Sequence, residues 1–105
     1  MRLRAVEFST EARADLIAIY DYVDSVAGET VATGYTDRVE KFIMNLGLAS
    51  ERGQLRSEVR ANLRIIGFER RLTVAFTVSE TSITILRIFS GGQNWRDILQ
   101  DDESE

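Results

Sequence analysis

The chain contains no cysteine, no histidine and no proline among its 105 residues. Without cysteine, a disulfide framework and a thiolate metal site are excluded. Without histidine, the usual general base and the commonest metal ligand are missing, which excludes a zinc hydrolase, a Ser-His-Asp hydrolase and a histidine ribonuclease. The sequence therefore predicts no metal site and no cofactor. Because proline is absent, we expect glycine to mark the ends of helices and strands.

Long apolar segments are also missing. No run approaches the roughly 20 apolar residues that a membrane-spanning helix needs, and residues 1–7 are charged without the apolar stretch of a signal peptide. We expect a cytoplasmic protein with no membrane contact. The length fits one domain, which we assign to residues 1–100. Residues 101–105 carry four acidic groups and no basic one, and are expected to form an unstructured tail.

The charge is unevenly distributed along the chain. The formal net charge of −4 comes from the tail, since the rest of the chain holds 13 acidic and 13 basic residues. Residues 52–71 contain six arginines and only two glutamates. Arginine favours bidentate contacts with carboxylates and phosphates. This segment is therefore either a solvated loop or a docking surface for an anion, a nucleic acid or an acidic partner.

The first half of the chain predicts a short strand followed by two helices. Residues 2–8 alternate between polar and apolar, and Ser9 or Thr10 can cap the helix after them. Gly28 ends the first helix and Gly47 the second, so the two helices fold back as a hairpin. Both helices show an apolar stripe at helical spacing: Ala12, Leu16, Ile19, Tyr20 and Val23 in the first, and Val31, Ala32, Tyr35, Val39, Phe42, Ile43 and Leu46 in the second.

The second half predicts a sheet. Residues 48–62 are expected to form a loop with one helical turn over Leu55–Val59. Three strands come next with short links, over 63–68, 72–78 and 82–89, and predict an antiparallel meander. Gly91-Gly92 end the last strand, and Gln93 or Asn94 caps a short helix over Trp95–Leu99. The fold class is α+β in the order β-α-α-β-β-β, with the helical hairpin on one face of the sheet and the other face open.

Several short motifs stand in a recognisable order. Residues 9–20 combine Ser9, Ala12, Asp15-Leu16 and Ile19-Tyr20, and Gly53 is followed by Leu63-Arg64. The hairpin 72–88 ends in Ile83-Thr84-Ile85-Leu86-Arg87-Ile88. Together these motifs resemble the ParE branch of the RelE/ParE toxin superfamily, the toxins of bacterial type II toxin–antitoxin modules. The sequence departs from the family pattern at three places, with Ala49-Ser50 in place of a proline, Phe76 in place of a tyrosine, and Ser90 where histidine or tyrosine is common.

The resemblance implies one of two activities. RelE-like members cut mRNA on the ribosome, whereas ParE-like members inhibit DNA gyrase and trap its cleavage complex without being enzymes. RNA cleavage needs groups that take and give a proton and cations that stabilise the phosphorane. The tyrosine and lysine side chains, which could transfer a proton, all lie in the predicted helical hairpin, namely Tyr20, Tyr22, Tyr35 and the single lysine, Lys41. The chain without its acidic tail also has no net positive charge, which disfavours binding to the phosphates of RNA.

We therefore favour the gyrase inhibitor, a toxin that arrests growth without catalytic residues. An mRNA endoribonuclease is the alternative, and a non-toxic, antitoxin-binding regulator is a third possibility. The resemblance also implies a cognate antitoxin, ParD-like with a ribbon-helix-helix pattern, whose C-terminal region folds on the toxin. We expect this region to bind an exposed apolar groove beside the helical hairpin and the arginines of residues 52–71. We do not expect the toxin alone to bind nucleic acid directly.

Two sets of side chains are candidates for these contacts. The antitoxin is expected to contact an aromatic residue and the arginines of the basic segment, namely Tyr22, Arg56, Arg60, Arg64, Arg70 and Arg71. DNA gyrase is expected to contact the end of the last strand and the start of the terminal helix, namely Arg87, Gln93, Asn94 and Trp95. Three of these residues could instead have structural roles. Arg64 could form an ion pair with Glu58 or Glu69, and Arg87 could donate hydrogen bonds to backbone carbonyls of the C-terminal segment. Trp95 could pack at the end of the hydrophobic core.

Overall fold

The computed structural model describes residues 3–48, 51–91 and 93–103, the side chains of 100–103 excepted. The α+β order predicted from the sequence is confirmed, with one further short strand inside the expected loop. The elements are β1 (Ala5–Phe8), α1 (Thr10–Ala27), α2 (Glu29–Asn45), β2 (Gln54–Leu55), β3 (Leu63–Phe68), β4 (Leu72–Val78), β5 (Ser82–Ser90) and α3 (Trp95–Glu103). In these parts of the chain no helix has the length and apolar character to cross a membrane.

The five strands form one mixed sheet in the order β1-β5-β4-β3-β2. Strands β2 to β5 pair with their neighbours antiparallel, which confirms the predicted meander. Strand β1 instead pairs parallel with β5, with Ala5 opposite Ser82 and Phe8 opposite Ile85. The first strand in the sequence therefore lies beside the last one.

The two long helices are joined by Gly28 alone. This residue has a φ of +94°, a conformation that a side chain disfavours. Its amide donates to the Asp24 carbonyl at the end of α1, and its carbonyl accepts from the Ala32 amide at the start of α2. At the other end of α1, the Ser9 hydroxyl accepts from the Ala12 amide, as expected of an N-cap. One glycine thus closes one helix and opens the next.

The helical hairpin packs on one face of the sheet. The predicted stripes supply most of this core, with one exception in each helix. Tyr20 of α1 is half-buried and is not among the members of the cluster. Val31 is 52% exposed, and Thr36 is buried instead. The Thr36 hydroxyl donates to the Ala32 carbonyl within the helix, so burial leaves no unpaired polar group. We call this cluster the first core. Its buried members are Ala12, Ile19, Val39, Ile43, Leu46, Phe68, Leu72, Val74, Phe76, Ile83, Ile85 and Ile88.

The expectation that the second face of the sheet is open was wrong, because α3 packs over it. Leu99 of α3 is fully buried, and Trp95 and Ile98 pack beside it. They cover the buried side chains of Val59, Leu63, Ala75 and Phe89, and together these residues form a second core. The helix is also longer than the predicted Trp95–Leu99. Asp101–Glu103, which were assigned to the acidic tail, continue this helix. Ser104 and Glu105 lie outside the described residues.

The loop between α2 and β3 differs from the prediction. Leu55 is not helical but pairs with Arg64 in the sheet. A turn comes after it, in which the amides of Val59 and Arg60 donate to the Arg56 carbonyl. Ala49-Ser50 of the predicted loop, and Gly92 of the predicted strand end, lie outside the described residues.

Candidate functional site

The start of α1 completes the edge of β5. Strand β1 ends opposite Ile85, so the rest of β5 lacks a strand partner on this side. The Ser9 amide donates to the Ile85 carbonyl at 2.9 Å, and the Ser9 hydroxyl donates to the Leu86 carbonyl at 2.7 Å. Asp15 Oδ2 then accepts from the Ile88 amide at 2.8 Å. Backbone and side-chain groups of Ser9 and Asp15 thus take the place of a strand.

Arg87 is held by the same carboxylate. Its Nε lies 2.8 Å from Asp15 Oδ2 and its Nη2 lies 3.0 Å from Asp15 Oδ1. The two side chains are 22% and 16% exposed. Such a bidentate, charge-assisted pair is stronger than a neutral hydrogen bond. The guanidinium also stands 5.1 Å from the Phe89 ring centroid. The sequence did not reveal Asp15 as the partner of Arg87, because the two residues lie 72 positions apart and no spacing pattern links them.

The other candidates for target contact lie together at the start of α3. Gln93 Oε1 accepts from the Ser90 amide at 2.9 Å. Asn94 Oδ1 accepts from the Asp97 amide at 3.4 Å and its Nδ2 donates to Asp97 Oδ2, which confirms Asn94 as the cap. Both side chains are exposed, whereas Trp95 is half-buried against the second core. Gln93, Asn94 and Trp95 therefore form one continuous stretch.

The arginines predicted to meet the antitoxin divide into two groups. Arg56, Arg60 and Arg64 lie near the first residue of β3, and Arg70 and Arg71 lie in the turn after its last residue. The four steps along the strand from Arg64 to Phe68 at the end of β3 span about 13 Å at roughly 3.3 Å per residue. The basic segment is therefore two separate patches. Tyr22 stands apart from both on α1, where its side chain is 68% exposed.

In the first patch the predicted pair of Arg64 with Glu58 or Glu69 was wrong. Arg64 Nη1 donates to the Glu51 carbonyl at 2.9 Å. The two glutamates have other partners, since Glu58 pairs with Arg96 at 3.3 Å and Glu69 with Arg38 at 3.1 Å.

Arg56 is half-buried, as are Arg60 and Arg64. Its Nη2 donates to Gln54 Oε1, and its Nε is buried without a partner among the described residues. The first patch is thus partly committed to holding β2 and the loop that precedes β3.

The second patch sits on a tight turn that α2 holds in place. Glu69 and Arg70 have φ values of +50° and +60°, in the left-handed region. Arg38 on α2 donates from Nε and Nη2 to the two carboxylate oxygens of Glu69. This hydrogen bonding lowers the pKa of Glu69 and raises the pKa of Arg38. Burial raises the pKa of Tyr35 beside them, and the charge of Glu69 adds to this shift.

An apolar groove, implied by the resemblance beside the helical hairpin, lies between the two helices, but its lining residues were not predicted. Phe8, Leu16, Ile17 and Met44 line it together with Arg13 and Glu40, and its volume is about 290 Å³. Ile17 is 62% exposed and Met44 is 55% exposed. Neither belongs to the predicted apolar stripes. The signal available was the apolar character of both residues on the outward faces of their helices.

Comparison with known proteins gives the family. The family described as the ParE toxin of the type II toxin-antitoxin system, parDE, matches residues 6–95 of this sequence. The chain belongs to the ParE toxin family. It is similar to a solved structure described as the chromosomal ParDE TA system from P. aeruginosa, with 28% sequence identity and a TM-score of 0.73. The match covers 84% of this chain and 96% of that chain. Comparison with curated proteins gave no match.

The predicted resemblance is thereby confirmed, and the structure shows where the residues of its motifs lie. Asp15 of the first motif and Arg87 of the last are the two halves of the ion pair. The three tyrosines lie on α1 and α2, as predicted. Arg64 and Arg87 lie on β3 and β5, with β4 between them. In the described parts of the chain no three acidic side chains gather as metal ligands. The arrangement can offer cationic, amide and aromatic groups for binding.

Proposed function

We propose that this ParE toxin inhibits DNA gyrase, arrests growth, and is held inactive by a cognate antitoxin. The observation that carries the proposal is the match to the ParE toxin family over residues 6–95. The similarity to a structure of a ParDE TA system supports a two-component arrangement. In this proposal the toxin acts by binding gyrase and trapping its cleavage complex, and it performs no chemistry of its own.

The chemistry of the side chains favours this function over cleavage of mRNA. A ribonuclease needs a proton acceptor and a proton donor beside the scissile phosphate. The chain has no histidine. Arg64 and Arg87, which could stabilise a phosphorane, are bound to the Glu51 carbonyl and to Asp15 respectively. We therefore retain mRNA cleavage only as the alternative.

The proposed contact with gyrase is the stretch Gln93–Trp95. It lies directly after β5, and Gln93 and Asn94 expose their amide side chains. Trp95 has its ring stacked under the Arg96 guanidinium at 5.2 Å and anchors the stretch to the second core. Tryptophan and arginine side chains are common energetic centres of protein interfaces. Arg87 is proposed to contribute as a positioning residue, because its pair with Asp15 fixes β5 just before this stretch.

The proposed antitoxin is ParD-like, with an acidic, amphipathic segment that reaches both arginine patches. Replacing Arg64 and Arg71 together by glutamate should weaken its binding by about 2 kcal/mol or more, the scale of lost interface hot spots. Lys41→Glu on α2 is the matched control and should leave the affinity unchanged. Isothermal titration of the antitoxin into each folded variant measures this. Equal affinities for wild type and the double variant would contradict the assignment.

Growth of cells that express the chain separates the toxin from a non-toxic regulator. Expression alone should arrest growth, and co-expression of the antitoxin should restore it. The purified toxin should inhibit supercoiling of relaxed plasmid by gyrase while mRNA on ribosomes stays intact. Growth without arrest, at a protein level confirmed by immunoblot, would favour the regulator. Arrest with ribosome-dependent mRNA cleavage and normal supercoiling would favour the ribonuclease.

A further inference from the structure

We propose that the groove between α1 and α2 is the interface of a homodimer in which two copies meet across a two-fold axis. The groove is the one lined by Phe8, Arg13, Leu16, Ile17, Glu40 and Met44. Such a dimer involves the chain alone, so it depends neither on the proposed antitoxin nor on gyrase.

The centre of the groove is apolar and exposed. Ile17 on α1 and Met44 on α2 leave more than half of their surface in water, at 62% and 55% exposure. Phe8 and Leu16 are half-buried at the same groove and pack against the first core. Removing such apolar surface from water favours association roughly in proportion to its area. Contiguous apolar surface of this kind marks interaction sites on proteins.

Two opposite charges stand on the two walls of the groove. Arg13 projects from α1 and Glu40 from α2. Arg13 stacks 5.5 Å from the Phe8 ring centroid. Among the described residues neither Arg13 nor Glu40 forms an ion pair. Each wall therefore presents a charge that is available to a partner.

This charge pattern is self-complementary. In a two-fold interface the same surface meets itself, so a contact between residue i and residue j occurs twice. Arg13 of each copy can then face Glu40 of the other, with Ile17 and Met44 enclosed between the two pairs. A partner carrying only acidic groups would meet Glu40 with like charge. The two arginine patches of β3 suit such a partner better, which leaves the balanced groove for a second copy.

Charge reversal in a mixture tests the two-fold arrangement. Sedimentation equilibrium of the isolated toxin should show a concentration-dependent dimer. Arg13→Glu and Glu40→Arg should each weaken it by about tenfold or more, because each variant places like charges across both contacts. An equimolar mixture of the two variants should restore a heterodimer, because the two reversed charges then face each other across one contact and the two native charges across the other. The double variant R13E/E40R should also dimerise.

Controls keep a folding defect apart from a lost interface. Arg60→Glu reverses a charge outside the groove and should leave the dimer intact, and Met44→Lys should weaken it with the circular dichroism spectrum unchanged. The proposal is overturned if the wild type is monomeric at its highest soluble concentration. It is equally overturned if a dimer forms that ignores all three groove substitutions, or if the mixed variants fail to recover association. A monomer whose antitoxin affinity falls in Arg13→Glu would assign the groove to the antitoxin instead.

Discussion

Asp15 on α1 and Arg87 on β5 are 72 positions apart in the chain and meet in a two-point ion pair. The same carboxylate accepts the Ile88 amide. One side chain therefore neutralises a partly buried arginine and also satisfies a strand edge that β1 is too short to cover. This ties the helical hairpin to the last strand of the sheet.

Removing the Asp15 carboxylate should destabilise the fold. Asp15→Ala removes the carboxylate to which both the Arg87 guanidinium and the Ile88 amide donate. We expect a loss of about 2 kcal/mol, below the roughly 3–5 kcal/mol of a fully buried pair, because both side chains are only partly buried. Asp15→Asn keeps an oxygen for the amide and should lose less. Urea denaturation followed by circular dichroism measures both. Asp21→Asn, an exposed position on the same helix, is the control, and equal midpoints for Asp15→Ala and wild type would disprove the role of the pair.

Two glycines should respond in opposite directions to replacement by alanine. A Cβ at Gly53 would lie 2.3 Å from the Ile65 carbonyl oxygen, and the φ of this residue is +80°. Gly53→Ala should therefore cost about 2 kcal/mol or more. Gly34 lies inside α2 with nothing within 4 Å of an added Cβ, so Gly34→Ala should stabilise by about 0.5–1 kcal/mol. Thermal unfolding of both variants decides the matter, and a shift of the same sign in both would refute the account.

The pair of Arg38 with Glu69 should make stability depend on acid pH. The hydrogen bond from Arg38 holds the pKa of Glu69 below its ordinary value of 4.5. A depressed folded pKa contributes stability above the ordinary value, and this contribution is lost as the pH falls through the folded pKa. Arg38→Gln should raise the pKa of Glu69 in an NMR titration of the side-chain carboxyl and reduce the loss of stability on acidification.

Glu58 offers a contrast to Glu69. Its pKa is lowered first by a hydrogen bond from its own backbone amide and only then by Arg96. Arg96→Gln should therefore move the pKa of Glu58 less than Arg38→Gln moves the pKa of Glu69. An unchanged pKa of Glu69 in Arg38→Gln would show that the ion pair does not persist in solution.

The attachment of α3 should depend on Leu99. Its side chain is fully buried among Val59, Leu63 and Phe89 on the second face of the sheet. Leu99→Ala should destabilise the toxin by about 2–4 kcal/mol through lost burial and the cavity that remains. Leu55→Ala removes a leucine that is 51% exposed and should cost far less. Amide exchange of α3 and the global unfolding midpoint test this, and similar losses for the two variants would contradict the packing.

Local patterns in the sequence were sufficient for most of the fold. The spacing of Ala12, Ile19, Val39 and Ile43 predicted the buried faces of both helices, and alternation along residues 72–78 predicted β4. One error in α2 concerned which side chains face the sheet. Thr36 lies at helical spacing between the buried Ala32 and Val39, but as a polar residue it was not counted in the apolar stripe. Its hydroxyl donates to the Ala32 carbonyl, so its burial leaves no unpaired group.

The second core and the site geometry required the structure. Ile98 and Leu99 are too few to reveal a packed helix by periodicity, yet they cover one face of the sheet. The arginines at 56–71 read as one basic segment, but β3 separates them into two patches. The partner of Arg87 lies 72 positions earlier in the chain, a distance at which spacing carries no information.

The proposed inhibition of gyrase can be measured in a supercoiling assay. Purified toxin is incubated with gyrase, ATP and relaxed plasmid, with and without the cognate antitoxin, and the DNA is resolved after protein digestion. If the toxin traps the gyrase cleavage complex, supercoiling should fail, linear DNA should accumulate, and the antitoxin should reverse both effects. Full supercoiling with no linear DNA at saturating, correctly folded toxin would contradict the proposed inhibition.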